Sequence, residues 1–203
     1  MDATRRYYGN QSEIRCCPMA ANGKKTIYNN YFNVGVWDMS VSFGGTIPGT
    51  NQPRPVPDYG SYGINGWVEN ASTTVTGGSP NPAWNWKTPN VKGAAKVPVL
   101  MDAPWIDCWP QENDNPPEFD NLPWNQSVPY GGMGRFCKNR HEGYINCLFL
   151  DFSVKKIGLK QMWTLKWHRT FNTCGRWTIC GGATAAAWNA VGAAPWMSNF
   201  PLY

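Results

Sequence analysis

Residues 144–158, YINCLFLDFSVKKIG, constrain the fold of this chain more than any other stretch. The run YINCLFLD (144–151) is apolar almost throughout and has the length of one strand, so it predicts a central strand covered on both faces. SVKKIG (153–158) follows after a short turn and can return beside it as an antiparallel partner. The sequence therefore predicts an antiparallel sheet built around this hairpin.

The rest of the chain predicts short strands joined by long loops. With 21 glycines and 17 prolines in 203 residues, the chain does not have the composition of a helical bundle. Short strands are predicted within 26–47, 61–68 and 95–105, and Pro98 indicates an edge strand or the start of a strand. The long loops, rich in Pro, Gly and Asn, cover 48–60, 69–94 and 106–135.

Beyond the hairpin, the spacing of apolar residues changes. An apolar residue recurs at every fourth position: Leu159, Trp163, Trp167 and Phe171. This spacing predicts a C-terminal amphipathic helix packed on the sheet, with Lys160 largely off its apolar face. Short helical turns are predicted near 183–191. We therefore predict an α+β fold with long Pro/Gly-rich loops and a single globular domain over 1–203, whose residues 1–57 form a loop-rich N-terminal region.

The net charge of +5 does not identify a partner. Basic residues are concentrated between Arg135 and Arg176, and acidic residues within 102–120. A basic surface can bind nucleic acid, but these lysines and arginines are scattered, and the sequence contains no zinc-finger, RNA-recognition or helix-turn-helix signature. We therefore expect a solvated basic face, which could meet the acidic segment of a neighbouring copy, and no nucleic-acid binding.

Seven cysteines leave the disulfide pattern open. None forms the close-spaced pair that a structural zinc site normally uses, and both disulfides and buried thiols fit the spacing. The first 20 residues contain no apolar segment typical of a signal peptide, and no run of 18 apolar residues predicts a membrane span. Taken alone, these features indicate a soluble cytoplasmic protein.

His141 and Asp151 are the first candidates for a reactive pair. An extended strand between them would keep them roughly 33 Å apart, whereas general acid–base chemistry requires contacts of about 3 Å. We therefore interpret Asp151 as a turn residue that caps backbone N–H groups, and His141 as a structural histidine at the entry of the strand. Nucleophile and nucleotide-binding motifs are also missing, so no enzyme activity is predicted.

Two loop features suggest binding instead. The acidic segment 102–120 contains hard-oxygen ligands, so Asp107, Glu112 and Asp114 are candidates for a calcium site, although the spacing is not that of an EF-hand. Tryptophans in Asn- and Asp-rich loops can stack on sugar rings or can pack the loops against the core. Those considered for glycan binding are Trp84, Trp86, Trp105, Trp109 and Trp124.

The stretch RHEGYINCLFLDF (140–152) resembles the H-X9-DG signature of bacterial proteins with a prepilin-type processing segment. The following VKKIGLKQMWTLKWHRTFNT (154–173) resembles the form that these proteins take in Planctomycetes–Verrucomicrobia-type bacteria. His141 and Asp151 have the motif's spacing, and Phe152 stands where the family has glycine. SYGINGW (61–67), GGMGRFCKNRHEG (131–143) and PWMSNF (195–200) fit the same pattern. The resemblance covers residues 58–200 and is most specific in their second half.

The resemblance implies a pseudopilin-like head without a catalytic centre. Such heads project into the periplasm or outside the cell as subunits of type II secretion or type IV pilus-like assemblies, and some bind calcium in a loop. The implied partners are other pilin-like subunits or further copies of this chain. The alternative function is a carbohydrate-binding or adhesion module.

Two departures from the family carry expectations of their own. The family's leader and long apolar helix are not found in residues 1–203, so we expect a piece of a longer protein, a wrongly placed start, or a head that has lost its anchor. Because phenylalanine tolerates positive φ poorly, Phe152 predicts a different or longer turn that includes Ser153.

Overall fold

The structure, a computed structural model, describes residues 14, 16–20, 37–38, 59–69, 81–118, 120, 132–190 and 195–203. Most of the predicted loop-rich region at 1–57, most of the β-like runs within 26–47, and Trp124 lie outside these residues. Within the described ranges the strands are β1 (Trp37–Asp38), β2 (Tyr59–Gly60), β3 (Tyr62–Asn65), β4 (Pro98–Asp102), β5 (Asp107–Cys108), β6 (Tyr144–Phe149) and β7 (Val154–Gly158).

Five of these strands form one mixed sheet in the order β5-β3-β4-β6-β7. Neighbouring strands are antiparallel except β5, which runs parallel to β3 through the pairs Ile64–Asp107 and Asn65–Cys108. The prediction of an antiparallel sheet was therefore wrong at this edge. The loop after β4 carries the chain to the far side of β3, where Ile64 donates its N–H to the carbonyl of Ile106 at 2.8 Å. Strands β1 and β2 pair separately.

The hairpin β6–β7 is continuous from Tyr144–Gly158 to Leu148–Val154, as the apolar run predicts. β6 is not buried on both faces, however. Its residues alternate between buried side chains, such as Ile145 and Cys147, and more accessible ones, such as Asn146. β6 is an inner strand with one face toward the core. Pro98 is the first residue of the central strand β4, which is one of the two predicted positions, the other being an edge strand.

The predicted amphipathic helix after the hairpin is wrong. The chain forms a five-residue 3-10 helix at Lys160–Thr164 and is extended by Leu165. Beyond it, the backbone bonds to other segments, since Lys166 donates its N–H to Lys96 and Arg169 donates to Trp84. Lys160 is buried rather than exposed, and its ammonium group donates a hydrogen bond to the carbonyl of Phe200 at 2.9 Å. These distant carbonyls replace the partners that an α-helix would supply.

The four apolar residues that suggested a helix are nevertheless all buried. They belong to one core together with Trp67, Phe136 and Trp188. The tryptophans also hold the loops in place through their indole N–H groups: Trp67 donates to Pro110, and Trp163 donates to Asp114. Each ring thus fills core volume and satisfies a loop carbonyl, so regular helices are not needed to build the core.

The remaining elements are short. Among the residues that the structure describes, one α-helix, α1 (Ala185–Asn189), begins at the Thr184 cap inside the predicted helical region. Further 3-10 helices in the described part of the chain are Gly66–Val68, Pro82–Trp84, Ala94–Lys96, Met133–Arg135, Ile179–Gly181 and Pro195–Met197. A disulfide joins Cys174 to Cys180. Among the described residues, no helix has the length and apolar character that crossing a bilayer requires.

Candidate functional sites

The H-X9-D spacing places His141 and Asp151 at opposite ends of β6, which alone spans roughly 20 Å. Asp151 lies in the β6–β7 turn, where its carboxylate accepts hydrogen bonds from the N–H and hydroxyl of Ser153 at 3.0 and 2.6 Å. These bonds lower the pKa of Asp151. The motif's aspartate therefore shapes a turn, and its histidine belongs to a different site.

The turn itself departs from expectation. Phe152 donates its N–H to the carbonyl of Phe149 at 2.9 Å and adopts φ +64°, a left-handed conformation that favours glycine. Phe149 then donates its own N–H to Ser153, closing a three-residue loop of a kind common in hairpins. The expectation that phenylalanine would avoid positive φ was wrong. The side chain of Phe152 is 81% exposed, so its own chain gives it little packing in return for the strained backbone.

A second site combines Cys17, Asp102 and His141. Asp102 ends β4, His141 lies just before β6, and Cys17 comes from the N-terminal segment 16–20. The left-handed residues Glu142 (φ 55°) and Gly143 (φ 90°) turn the chain between His141 and β6. The sheet pairs β4 with β6, which brings the first two side chains together, and Cys17 arrives from 124 positions away.

The contacts converge on one atom. The Nε2 atom of His141 lies 3.4 Å from the Sγ atom of Cys17 and 3.3 Å from the Oδ2 atom of Asp102. The carboxamide Nδ2 of Asn146 lies 3.1 Å from the same nitrogen. Cys17 and Asp102 are buried, whereas the His141 side chain is 20% exposed, so the cluster opens to solvent on the histidine side.

The charge of Asp102 is balanced inside the protein. Its Oδ1 atom accepts a hydrogen bond from the Nη1 atom of Arg140 at 3.2 Å, and its Oδ2 atom accepts one from the backbone N–H of Asn146 at 3.0 Å. Burial, and next the charge of Asp102, raise the pKa of the Cys17 thiol. Burial, followed by the charges of Cys17 and Asp102, raises the pKa of Tyr62 to about 12. Cys17 is therefore a thiol at neutral pH and not an activated nucleophile.

The sequence did not predict this cluster, because its three residues are far apart along the chain. Metal-binding motifs are recognised in a sequence by ligands that are only a few residues apart. Cys147 and Cys137, by contrast, are buried thiols whose pKa is raised by burial, for Cys147 to about 12. His168 is buried as well and stacks on Trp84 at 4.8 Å. Burial lowers the pKa of His168, although the charge of Glu112 opposes this.

The three calcium candidates have separate partners. Asp107 faces Arg135 at 3.6 Å, and Glu112 lies 3.4 Å from the Nε2 atom of His168. Asp114 accepts the backbone N–H groups of Gln111 and Met133 at 2.9 and 2.7 Å. Within the described ranges of the chain, the cysteine, aspartate and histidine above are the one group of three or more His, Cys, Asp or Glu side chains that converges.

The glycan candidates among the described residues pack onto the protein. Trp84 stacks on His168, and Trp86 donates its indole N–H to Trp167 at 2.9 Å. Trp109 lies against Gly66, where a side chain in place of the glycine would collide with the ring. The guanidinium carbon of Arg135 lies over the Trp105 ring, 5.7 Å from its centroid. These rings hold loops to the core, and each is half-buried.

Comparisons with protein-family models, with curated proteins and with solved structures find no match for this chain. The fold and the two sites are therefore interpreted from their own chemistry.

Proposed function

We propose that this chain is a non-enzymatic, pilin-like head domain that acts through contacts with other subunits of a type II secretion or pilus-like assembly in the cell envelope. The observation that carries the proposal is Phe152. A bulky side chain in left-handed backbone costs about 1–2 kcal/mol, and an 81% exposed ring recovers little of this by burial. The ring gains a role if another subunit covers it.

The neighbouring surface fits such a contact. Val154, 70% exposed, begins β7 two residues after Phe152 and extends the apolar tip of the hairpin. Lys155 and Lys156 follow on the same strand and are exposed. An apolar point bordered by charged groups is a usual arrangement at interfaces between proteins. The hairpin behind it is a rigid support, with five residue pairs in register.

A periplasmic or extracellular location agrees with the disulfide between Cys174 and Cys180. Disulfides persist in oxidising compartments and are rare in the cytosol. The H-X9-D resemblance adds support, because its two motif residues flank the inner strand β6 and the aspartate forms the turn after it. The glycan-binding alternative has weaker support, since its tryptophans contact His168, Trp167, Gly66 and Arg135 instead of forming a flat exposed platform.

Site-specific photo-crosslinking in the cells that make the protein tests the proposal. A benzophenone amino acid replaces Phe152 in one variant and Ile179 in a matched control. Ile179 is also an exposed apolar residue, 57% accessible, but it bonds to Tyr203, which packs against Gly158 at the opposite end of β7. We expect a crosslink from position 152 to another copy or to a protein with a prepilin-type leader, and none from position 179.

Equal crosslinking from both positions, or none from position 152, would refute subunit contact through the hairpin tip. A crosslinked partner without a prepilin-type leader would refute the pilin-like assignment while keeping the contact. Titration of the purified protein with a polysaccharide panel tests the alternative, because a sugar stacked on tryptophan changes its fluorescence. A flat response would remove the glycan-binding function.

A further inference from the structure

We propose that Cys17, Asp102 and His141 form a binding site for one divalent transition-metal ion of the zinc class, with these three side chains as ligands. Each of the three residues offers one ligand atom (a thiol sulfur, a carboxylate oxygen and a ring nitrogen), and these atoms all lie within 4.8 Å of one another, although the residues come from distant segments of the chain. Zinc is bound in proteins by these types of atom.

The separations match tetrahedral coordination. With Zn–S near 2.3 Å and Zn–N and Zn–O near 2.0 Å, tetrahedral angles put sulfur about 3.5 Å from nitrogen and nitrogen about 3.3 Å from oxygen. The corresponding distances are 3.4 Å for Cys17 Sγ to His141 Nε2 and 3.3 Å for His141 Nε2 to Asp102 Oδ2. Both separations from the His141 nitrogen therefore fit a single ion bound by all three residues.

The ligand types select the metal. A thiolate disfavours calcium and magnesium, which prefer oxygen ligands, and a carboxylate disfavours copper(I), which prefers sulfur and nitrogen. On zinc binding the Cys17 thiol would lose its proton to solvent, which leaves one thiolate and one carboxylate to offset the two charges of the ion and the charge of Arg140 beside Asp102. Anionic ligands are needed here because Cys17 and Asp102 are almost completely buried, at 1% and 0% exposure, where an uncompensated charge is costly.

The geometry does not fit a nucleophilic cysteine. In a cysteine–histidine–aspartate relay, the carboxylate orients one ring nitrogen while the thiol meets the other. Here Cys17 and Asp102 both approach the Nε2 atom of His141. Convergence on one nitrogen is the arrangement of ligands around a common centre.

Surrounding groups hold two of the ligands in place. The Ser61 hydroxyl accepts the backbone N–H of Cys17 at 2.5 Å, and the Ser61 carbonyl accepts Arg140, which also holds Asp102. Ser61 itself is buried. Such outer contacts fix the orientation of metal ligands and commonly change affinity 10–100-fold when removed. One residue thus links the cysteine and aspartate sides of the site.

The fourth coordination position faces Asn146 and solvent. The Asn146 carboxamide already lies 3.1 Å from the His141 Nε2 atom, and rotating it by half a turn would present its oxygen instead of its nitrogen. Asn146 is exposed on β6, so water can reach the same position. Because Cys17 is the ligand from segment 16–20, the ion would fasten that segment to the ends of β4 and β6.

Cobalt(II) substitution tests the site in the full-length protein, purified without added thiols and stripped of metal. We expect one equivalent of cobalt per chain, with a thiolate-to-cobalt charge-transfer band that zinc abolishes. Cys17→Ser should remove the band, and Cys17→Ser and His141→Gln should weaken zinc binding about 100-fold or more. The matched control Cys16→Ser changes the adjacent cysteine. It should keep the charge-transfer band, and its zinc affinity should stay within about threefold of that of the unaltered protein. Ser61→Ala should weaken zinc binding about tenfold.

Alkylation of the unaltered protein keeps the test decisive if Cys17→Ser does not fold. Because Cys17 is buried, iodoacetamide reaches it only when segment 16–20 opens, so the labelling is done in dilute urea that permits this opening. Zinc should then slow labelling of Cys17 about tenfold or more, measured by peptide mass spectrometry, without equally protecting Cys16. Cobalt binding without a thiolate band, a band that persists in folded Cys17→Ser, or zinc-independent labelling of Cys17 would overturn the proposal.

Discussion

Replacing Phe152 by glycine and by alanine tests the strain at the hairpin tip. Both changes remove the phenyl ring. Phe152 is 81% exposed, so only about a fifth of its surface is buried. A phenylalanine offers about 200 Å², so this burial amounts to about 40 Å² and at most about 1 kcal/mol. That loss is common to both variants and cancels between them. Their difference in stability reports the backbone conformation alone.

The expected order is opposite to the usual one. At ordinary φ, alanine stabilises a chain relative to glycine by about 0.4–1 kcal/mol through the entropy of the unfolded state. At φ +64°, alanine keeps a left-handed cost of about 1–2 kcal/mol that glycine avoids. We therefore expect Phe152→Gly to be more stable than Phe152→Ala by about 1 kcal/mol. This difference corresponds to about 2–4 °C in melting midpoint for a chain of this size.

Urea denaturation followed by tryptophan fluorescence measures the difference, with linear extrapolation to water. Val154 supplies the matched control because it is also exposed and apolar but lies in β7 without positive φ. There the alanine variant should be more stable than the glycine variant. If Phe152→Ala equals or exceeds Phe152→Gly in stability, the tip is not strained and the main support for subunit contact through Phe152 is lost.

Three further predictions concern polar groups. Asn65→Ala should cost about 3 kcal/mol in urea denaturation, because its buried amide serves the Pro98 and Trp167 carbonyls and the Trp67 N–H; a cost below about 1 kcal/mol would contradict this. Hydrogen bonds from Ser153 hold the pKa of Asp151 below 3.8 in the folded protein, so its stabilisation is present above that pH and lost as pH falls. The stability difference between the protein and Asp151→Asn should thus shrink on acidification, and a constant difference would refute the role of the charge. Burial, and then the charge of Asp107, raise the pKa of Glu69 from 4.5 to about 7, so stability should fall as pH rises between these values; Glu69→Gln should flatten that slope, and an unchanged slope would argue against the shift.

Local patterns were sufficient where neighbouring residues satisfy each other. The apolar run before Asp151 and the return through Ser153 predicted the β6–β7 hairpin, because strand pairing across a short turn depends on adjacent sequence. Pro98 fits the start of β4 for a similar reason, since the ring removes its own backbone donor. These elements depend on chemistry that is visible within a few residues.

The helix prediction failed because its apolar spacing was real but its hydrogen bonds were not local. Trp163 and Trp167 are buried as a helical face would require, but the backbone around them bonds to Lys96 and Trp84. A spacing of four tells which side chains are buried and not which carbonyls the backbone uses. Competition between local and distant partners is settled only when the whole core assembles.

What the sequence by itself determined is the hairpin, the position of the Asp151 turn and the burial of the four apolar residues spaced from Leu159 to Phe171. Only the tertiary structure decided that β5 joins β3 in parallel and that Cys17 meets His141 across 124 positions. The physical reason is that contacts between distant segments depend on how the loops pack. Here the loops are held by tryptophans whose partners, such as the Pro110 carbonyl under Trp67, cannot be read from spacing along the chain.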